Sequence, residues 1–244
     1  MILCKVYQSG YCGPETIGII KNSNNPYDYV GGEHNSGVAY ILNALGGPST
    51  NDSLLLNADI GYMQTIGYTA AQVDSAYNQG VRLGYFPFSK IPELDSLGNL
   101  MYSQGKISST ANNYVQQIFY IASQYLEINV DSADFSLDSA NYISFANNLI
   151  SLESSINNNS NLTSAEKTGL LSACSIGRYS ASYWANYLLN GNDGGGVASQ
   201  SLAFKLTWKF WKIVICDIAG GVAGSPGGLV GIISGGIAAS VGAS

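Results

Sequence analysis

Residues 204–236 read FKLTWKFWKIVICDIAGGVAGSPGGLVGIISGG, and this stretch decides the fold because it is the most apolar part of the chain. No charged residue or histidine occurs from Ile218 to Ser244, a run of 27 residues that includes nine glycines. Indole rings favour the headgroup level of a bilayer, and lysine can snorkel or meet anionic lipid. The start of the stretch therefore predicts an interfacial anchor made of Lys205, Trp208, Lys209, Trp211 and Lys212.

Glycines recur at every fourth residue here, in the series Gly220, Gly224, Gly228 and the series Gly227, Gly231, Gly235. This interval clears a groove along one helix face, so that another backbone can approach closely. The peptide Ser225-Pro226-Gly227-Gly228 interrupts the run and predicts a bent helix or a hairpin. Three arrangements stay open: insertion or oligomerisation in a membrane, a hairpin packed on the protein's own domain or another copy, and a disordered tail.

The glycine-rich peptide 191–196 separates this segment from the rest of the chain. Successive glycines cost too much conformational entropy to lie inside a helix or strand, which is typical of a linker. We therefore expect a helical globular domain over residues 1–190, a linker over 191–199 and the amphipathic plus glycine-rich segment over 200–244.

Apolar residues in the first 190 positions recur at helical rather than alternating spacing. The predicted helices are 34–46, 70–79 capped by Thr69, 111–128 capped by Ser109 or Thr110, one from Ser136 or Asp138 through Ile156, and one from Thr163 to Leu189. The stretches 48–68 and 80–108 are predicted to be loop-rich. The predicted fold class is all-α, with five or six helices followed by a glycine-zipper helix or helical hairpin.

The composition excludes several classes of function. Apolar residues make up 46% of the chain and charged residues only 11%, with a net charge of −6. A basic field that could bind nucleic acid is therefore missing. His34 is the only histidine, which excludes multi-histidine metal sites. We expect no metal and no cofactor.

The four cysteines match no zinc or redox spacing. Cys174 and Cys216 lie in apolar helical stretches and are predicted to be buried free thiols, whereas Cys4 and Cys12 are the best candidates for a disulfide. Met1-Ile2-Leu3 is too short for a signal peptide.

Two residue sets could carry chemistry. Cys12 lies in a peptide similar to the nucleophile segment of papain-like peptidases, with His34 as its possible partner. His34 also fits a helix start, where Asp28 or the backbone would satisfy it. The acidic residues between two predicted helices would serve as caps or would bind a hard cation; they are Glu127, Asp131, Asp134 and Asp138.

Arg178 falls on the apolar stripe of the 164–189 helix, so its guanidinium needs a carboxylate. The candidates are Asp28, Glu33 and Asp59. The pair is predicted to fix the register of the helix.

The motif Asn-Pro-Tyr-Asp at 25–28 with Gly31, His34 and Asn35, the Arg178 helix and the glycine-rich segment together resemble a family of uncharacterised bacterial envelope proteins. Members of this family commonly carry an export or lipoprotein leader. The resemblance implies export and one buried polar cluster made of Asp28, His34, Asn35 and Arg178.

We predict a non-enzymatic, exported bacterial protein whose C-terminal segment associates with membrane lipid or with another copy of the chain. Gly220, Gly224, Gly228, Gly231 and Gly235 would pack the helices. An extracellular or envelope location follows, with the cytoplasm as the alternative. The alternative function is a hydrolase or ligand-binding domain that uses Cys12, Asp28, His34 and Arg178.

Overall fold

A computed structural model describes residues 17–82, 84, 94–126, 139–189 and 200–244. These residues contain helices and no strand, which confirms the all-α fold. The helices are α1 (Tyr29–Leu45), α2 (Asp52–Thr65), α3 (Ala70–Arg82), α4 (Leu94–Ser103), α5 (Ser109–Leu126), α6 (Ser139–Asn158), α7 (Ser164–Leu189), α8 (Gln200–Gly224) and α9 (Gly228–Ala243).

Two helix starts follow their predicted capping residues. The Glu166 carboxylate accepts from the Thr163 backbone N–H at 2.8 Å, and the Thr163 hydroxyl accepts from the Glu166 N–H at 3.2 Å. Thr69 and Gln72 form the same reciprocal pair before α3. For α5 both predicted caps, Ser109 and Thr110, lie after the observed one, because the Ser108 hydroxyl accepts from the Ala111 N–H at 3.1 Å.

Helices α2 and α4 lie in stretches predicted to be loop-rich, so that prediction was wrong for both. The side chain of Asn51 caps α2 by accepting from the N–H groups of Ser53 and Leu54. Consecutive leucines hide the helical period here, since Leu54 is exposed while Leu55 is buried. In α4, Gly98 lies against Asn112 and Val115 of α5, so this glycine is a packing position and not a break.

Helix α1 begins at Tyr29, five residues before its predicted start. Gly31 and Gly32 hid this first turn in the sequence, because glycine disfavours a helix interior. A Cβ at Gly31 would lie 2.5 Å from the Tyr179 ring, so the glycine lets α1 approach α7 closely.

Helices α8 and α9 form an antiparallel hairpin, joined by a short 3₁₀ turn over Ser225–Gly227. Gly228 has φ of 66°, a left-handed conformation that glycine adopts without strain. Side chains at Gly220 and Gly224 would collide with the carbonyl groups of Gly235 and Gly231, respectively. The two backbones therefore touch at Gly220, Gly224, Gly231 and Gly235, whereas the prediction that Gly228 packs the helices was wrong, because it lies in the turn with no atom within 4 Å of its Cβ position.

This hairpin lies in the middle of the protein. Helix α9 contacts α1, α2, α3 and α7 in addition to α8, and α8 also contacts α5 and α7. Buried residues of the hairpin belong to the same hydrophobic core as those of α1 to α7. Of the three arrangements left open by the sequence, the disordered tail is wrong, and the chain packs the hairpin on its own helices.

The expected boundary between residues 1–190 and 200–244 does not separate two cores. Described residues of both ranges pack into one hydrophobic core. The linker peptide itself lies outside the described residues. A glycine-rich peptide can connect two parts of one core as well as two domains, and sequence alone did not distinguish these cases.

Candidate functional site

Arg178 of α7 is fully buried and binds two carboxylates. Its Nη2 donates to Asp28 Oδ1 and, at 2.8 Å, to Glu153 Oε1 of α6. Burial works against the charged guanidinium, but Glu153 and Asp28 outweigh it and raise the pKa of Arg178. The prediction that Arg178 needs a carboxylate is confirmed for Asp28, whereas Glu33 and Asp59 lie elsewhere.

Glu153 is the residue that the sequence analysis missed. It is 0% exposed, and its two carboxylate oxygens accept from the side-chain amides of Asn22 and Asn25. Asn25 also donates to the Leu171 carbonyl at 2.9 Å. We name Asn22, Asn25, Asp28, Glu153 and Arg178 the arginine cluster, which fastens the segment before α1 to α6 and α7.

His34 and Asn35 do not join the arginine cluster. His34 Nδ1 lies 3.1 Å from Asn35 Oδ1, and His34 Nε2 lies 3.7 Å from Asp217 Oδ2 in α8. The Ser180 hydroxyl donates to the same Asp217 oxygen. We name His34, Asn35, Ser180 and Asp217 the histidine cluster.

The resemblance implied one polar cluster, and the structure corrects this to two. Tyr179 connects them, because its hydroxyl donates to Asp28 Oδ2 at 2.9 Å and its carbonyl accepts from Asn35 Nδ2 at 2.9 Å. Arg178 precedes Tyr179 on α7 and Ser180 follows it, so the two clusters are neighbours along this helix. Asp217 was also not predicted as a partner, because its contacts with His34 and Ser180 depend on how α8 packs against α1 and α7.

Burial sets the chemistry of both clusters. His34 and Arg178 are each 0% exposed, so a dissolved substrate does not reach either side chain in this arrangement. Burial lowers the pKa of His34 to about 4, which keeps the imidazole neutral at pH 7. These properties fit a role in positioning helices.

The other predicted chemical residues separate into described and undescribed sets. Cys174 and Cys216 are buried free thiols, as predicted, and burial raises the pKa of Cys174. Cys12 with its proposed disulfide partner Cys4, and the acidic residues Glu127, Asp131, Asp134 and Asp138, lie outside the described residues. Within the described ranges, no group of three or more His, Cys, Asp or Glu side chains is placed to hold a metal ion.

The stretch Phe210–Ala243, which makes up most of the hairpin of α8 and α9, is the one part of the described chain that is long and apolar enough to cross a membrane. Its mean hydropathy is 1.6, and most of it is buried inside the protein. Lys212 and Asp217 are its only charged residues.

Trp211 is not at the surface, so the prediction of an interfacial position is wrong for it in this arrangement. It is 6% exposed and stacks on Tyr125 with ring centroids 5.1 Å apart. Phe145 and Phe210 meet its ring edge to face. Lys212 is half-buried, and the side chains of Lys205, Trp208 and Lys209 lie outside the described part of α8.

Comparison of the chain with protein-family models, curated proteins and solved structures finds no match.

Proposed function

We propose that this protein inserts into membranes, and that the bundle in water stores the hairpin until it transfers to a bilayer. The observation that carries the proposal is the central position of a 34-residue apolar helix pair, wrapped by helices that face water on their other sides.

The internal contacts of the hairpin support transfer as a unit. The glycine series joins α8 to α9 without help from the surrounding helices. The outward side chains pack on those helices instead: Ile218 lies against Gly177 of α7, and Ile237 against Gly37 of α1. Lipid tails can replace these apolar partners, whereas the backbone contact between α8 and α9 would persist.

Each apolar arm of the hairpin, residues 210–224 of α8 and helix α9, is shorter than the hydrocarbon core of a bilayer, so the hairpin would enter the core without crossing all of it. Helix α9 has 16 residues and is about 24 Å long, while the hydrocarbon core is about 30 Å thick. The turn at Ser225–Gly227 carries no charge, which lowers the cost of placing it in lipid. Lys212 lies near the opposite end, where it can stay in the headgroup region.

Asp217 supplies a reason for the hairpin to stay in the bundle in water. Transfer would break its contacts with Ser180 and His34. An aspartate at a helix centre costs about 2.5–3.5 kcal/mol on insertion scales. The histidine cluster would thus hold the stored state in place.

We infer an extracellular or envelope location from the same proposal. A protein that is folded in water and acts on a bilayer must meet a membrane surface, and the resemblance to envelope proteins points in the same direction. Self-association is the alternative within this class, and it would use a surface other than the glycines that already join α8 to α9.

A reversible disulfide at the turn of the hairpin tests the proposal. A Cβ at Gly227 would lie 3.0 Å from Ala76 Cβ in α3, so a small shift of the turn brings the pair to disulfide distance. The Ala76→Cys, Gly227→Cys variant is made in a Cys4→Ser, Cys12→Ser background. Oxidised and reduced samples are then compared by flotation with anionic and with neutral liposomes.

We expect the reduced variant to float with lipid and the oxidised variant to stay behind, because the disulfide ties the hairpin to α3. Each sample controls for the folding of the other, since they differ only in one bond. A truncation before residue 200 is less informative, because it removes part of the core. Equal flotation of both redox states, or no flotation of either, would overturn the proposal.

A further inference from the structure

A small pocket opens between α2, α3 and α9, on the side of the hairpin away from the two clusters. Asp59 and Ser234 form its polar floor, and Leu55 and Ala238 are among its apolar walls. Tyr77 is half-buried at its mouth. The enclosed space is roughly what one water molecule or one ammonium group needs.

Two polar atoms in this pocket have no partner among the described residues. They are Asp59 Oδ1 and Ser234 Oγ. Asp59 is 2% exposed and Ser234 is 7% exposed. No cationic side chain in the described ranges lies within ion-pair distance of Asp59. Buried polar groups are nearly always satisfied, so a carboxylate oxygen in this state indicates a missing partner.

The donor set favours an organic cation over a metal ion. Calcium takes six to eight oxygen ligands and magnesium six, whereas this floor offers one carboxylate and one hydroxyl among apolar walls. An ammonium group carries three donors and needs little space. Asp52, two turns before Asp59 on the same face of α2, adds negative charge at the mouth.

We propose that this pocket binds the ammonium group of a small primary alkylamine, with Asp59 and Ser234 as its hydrogen-bond acceptors. The alkyl chain then lies along the apolar wall toward the mouth and meets Leu55 and Tyr77. This proposal does not depend on the proposed membrane insertion.

The protonation of Asp59 agrees with this assignment. Burial raises the pKa of Asp59 to about 7, so the empty site is partly protonated at neutral pH. Binding of an ammonium group displaces that proton. The other titratable groups that face the pocket or Asp59 are Asp52, Tyr62 and Tyr77.

Calorimetry with n-butylammonium chloride at constant ionic strength tests the site, at about pH 8, where Asp59 is mostly ionised. The alcohol 1-butanol keeps the alkyl chain without the charge, and butyltrimethylammonium keeps the charge without N–H donors. We expect saturable binding of one butylammonium per chain, at least tenfold tighter than either analogue. Calorimetry in two buffers at about pH 6 should also show that up to one proton is released for each amine bound.

Asp59→Asn keeps the shape of the side chain and should weaken butylammonium binding at least tenfold. Asp74→Asn removes the same charge from the exposed face of α3 and should bind like the wild type. Circular dichroism checks that both variants are folded. Absence of saturable binding by the wild type, or equal binding by Asp59→Asn, would overturn the proposal.

Discussion

At the scale of single residues, the arginine cluster makes the clearest prediction. Among the described residues, Arg178 is the cation that pairs with the buried Glu153, and Arg178→Met removes it. Loss of one partner of a buried ion pair leaves an uncompensated charge, and we expect about 3–5 kcal/mol of stability to disappear. Urea unfolding measures the loss.

The double variant Arg178→Met, Glu153→Gln is the matched control for this experiment. It removes the stranded carboxylate, so it should recover part of the stability that the single variant loses. A loss below about 1 kcal/mol in Arg178→Met would mean that the cluster does not fix α6 and α7.

The sequence located Arg178 because a guanidinium on an apolar stripe needs a partner. Glu153 carried the same signal, since it lies among Leu149, Leu152 and Ile156 at helical spacing. Asp217 was equally visible as a carboxylate inside an apolar run. Their partners were not visible, because the pairing of His34 with Asp217 depends on how α1 and α8 pack.

At the scale of elements, the glycines of the hairpin differ from other helical glycines. A methyl group at Gly224 would collide with the Gly231 backbone, whereas one at Gly32 of α1 would meet only the Tyr179 ring at 3.8 Å. We expect Gly224→Ala to destabilise the fold by about 1–3 kcal/mol through overpacking. Gly32→Ala should instead stabilise it by about 0.5–1 kcal/mol, because alanine favours a helix.

Thermal unfolding of both variants decides this point, since each changes one helical glycine to alanine. An unchanged or raised melting temperature for Gly224→Ala would show that close contact between α8 and α9 does not limit position 224.

Helix prediction succeeded where one face was apolar and a cap preceded it, as for α3 and α7. It failed where consecutive leucines masked the period in α2 and where Gly98 served packing in α4. The glycine intervals predicted close helix contact but left the partner open. That partner is set by competition between water, lipid and the protein's own helices, which local sequence does not record.

At the scale of the whole molecule, the order of hydrophobicity explains the architecture. The most apolar segment is the hairpin, and it lies where it contacts the largest number of other helices. The helices around it carry the polar residues that face water. Removal of the hairpin therefore opens the core of the entire protein.

Asp59 makes the contact between α2 and α9 sensitive to pH, because burial at this position favours its neutral form. Its folded pKa is about 7 and its ordinary value is 3.8, so the contribution of Asp59 to stability is fully present below about pH 4 and is lost as pH rises from about 4 to about 7. Over that range the loss amounts to about 4 kcal/mol. Asparagine does not titrate, so Asp59→Asn should gain about 4 kcal/mol of stability relative to the wild type between about pH 4 and pH 7.

Urea unfolding of both proteins across this range measures the difference, and taking the difference cancels the titration of all groups that the two proteins share. Asp74→Asn supplies the charge-matched comparison, for which we expect a change below about 1 kcal/mol. If the wild type and Asp59→Asn keep parallel stability profiles from acid to neutral pH, then Asp59 is ionised or solvated inside the fold. The contact between α2 and the hairpin would then not depend on its proton.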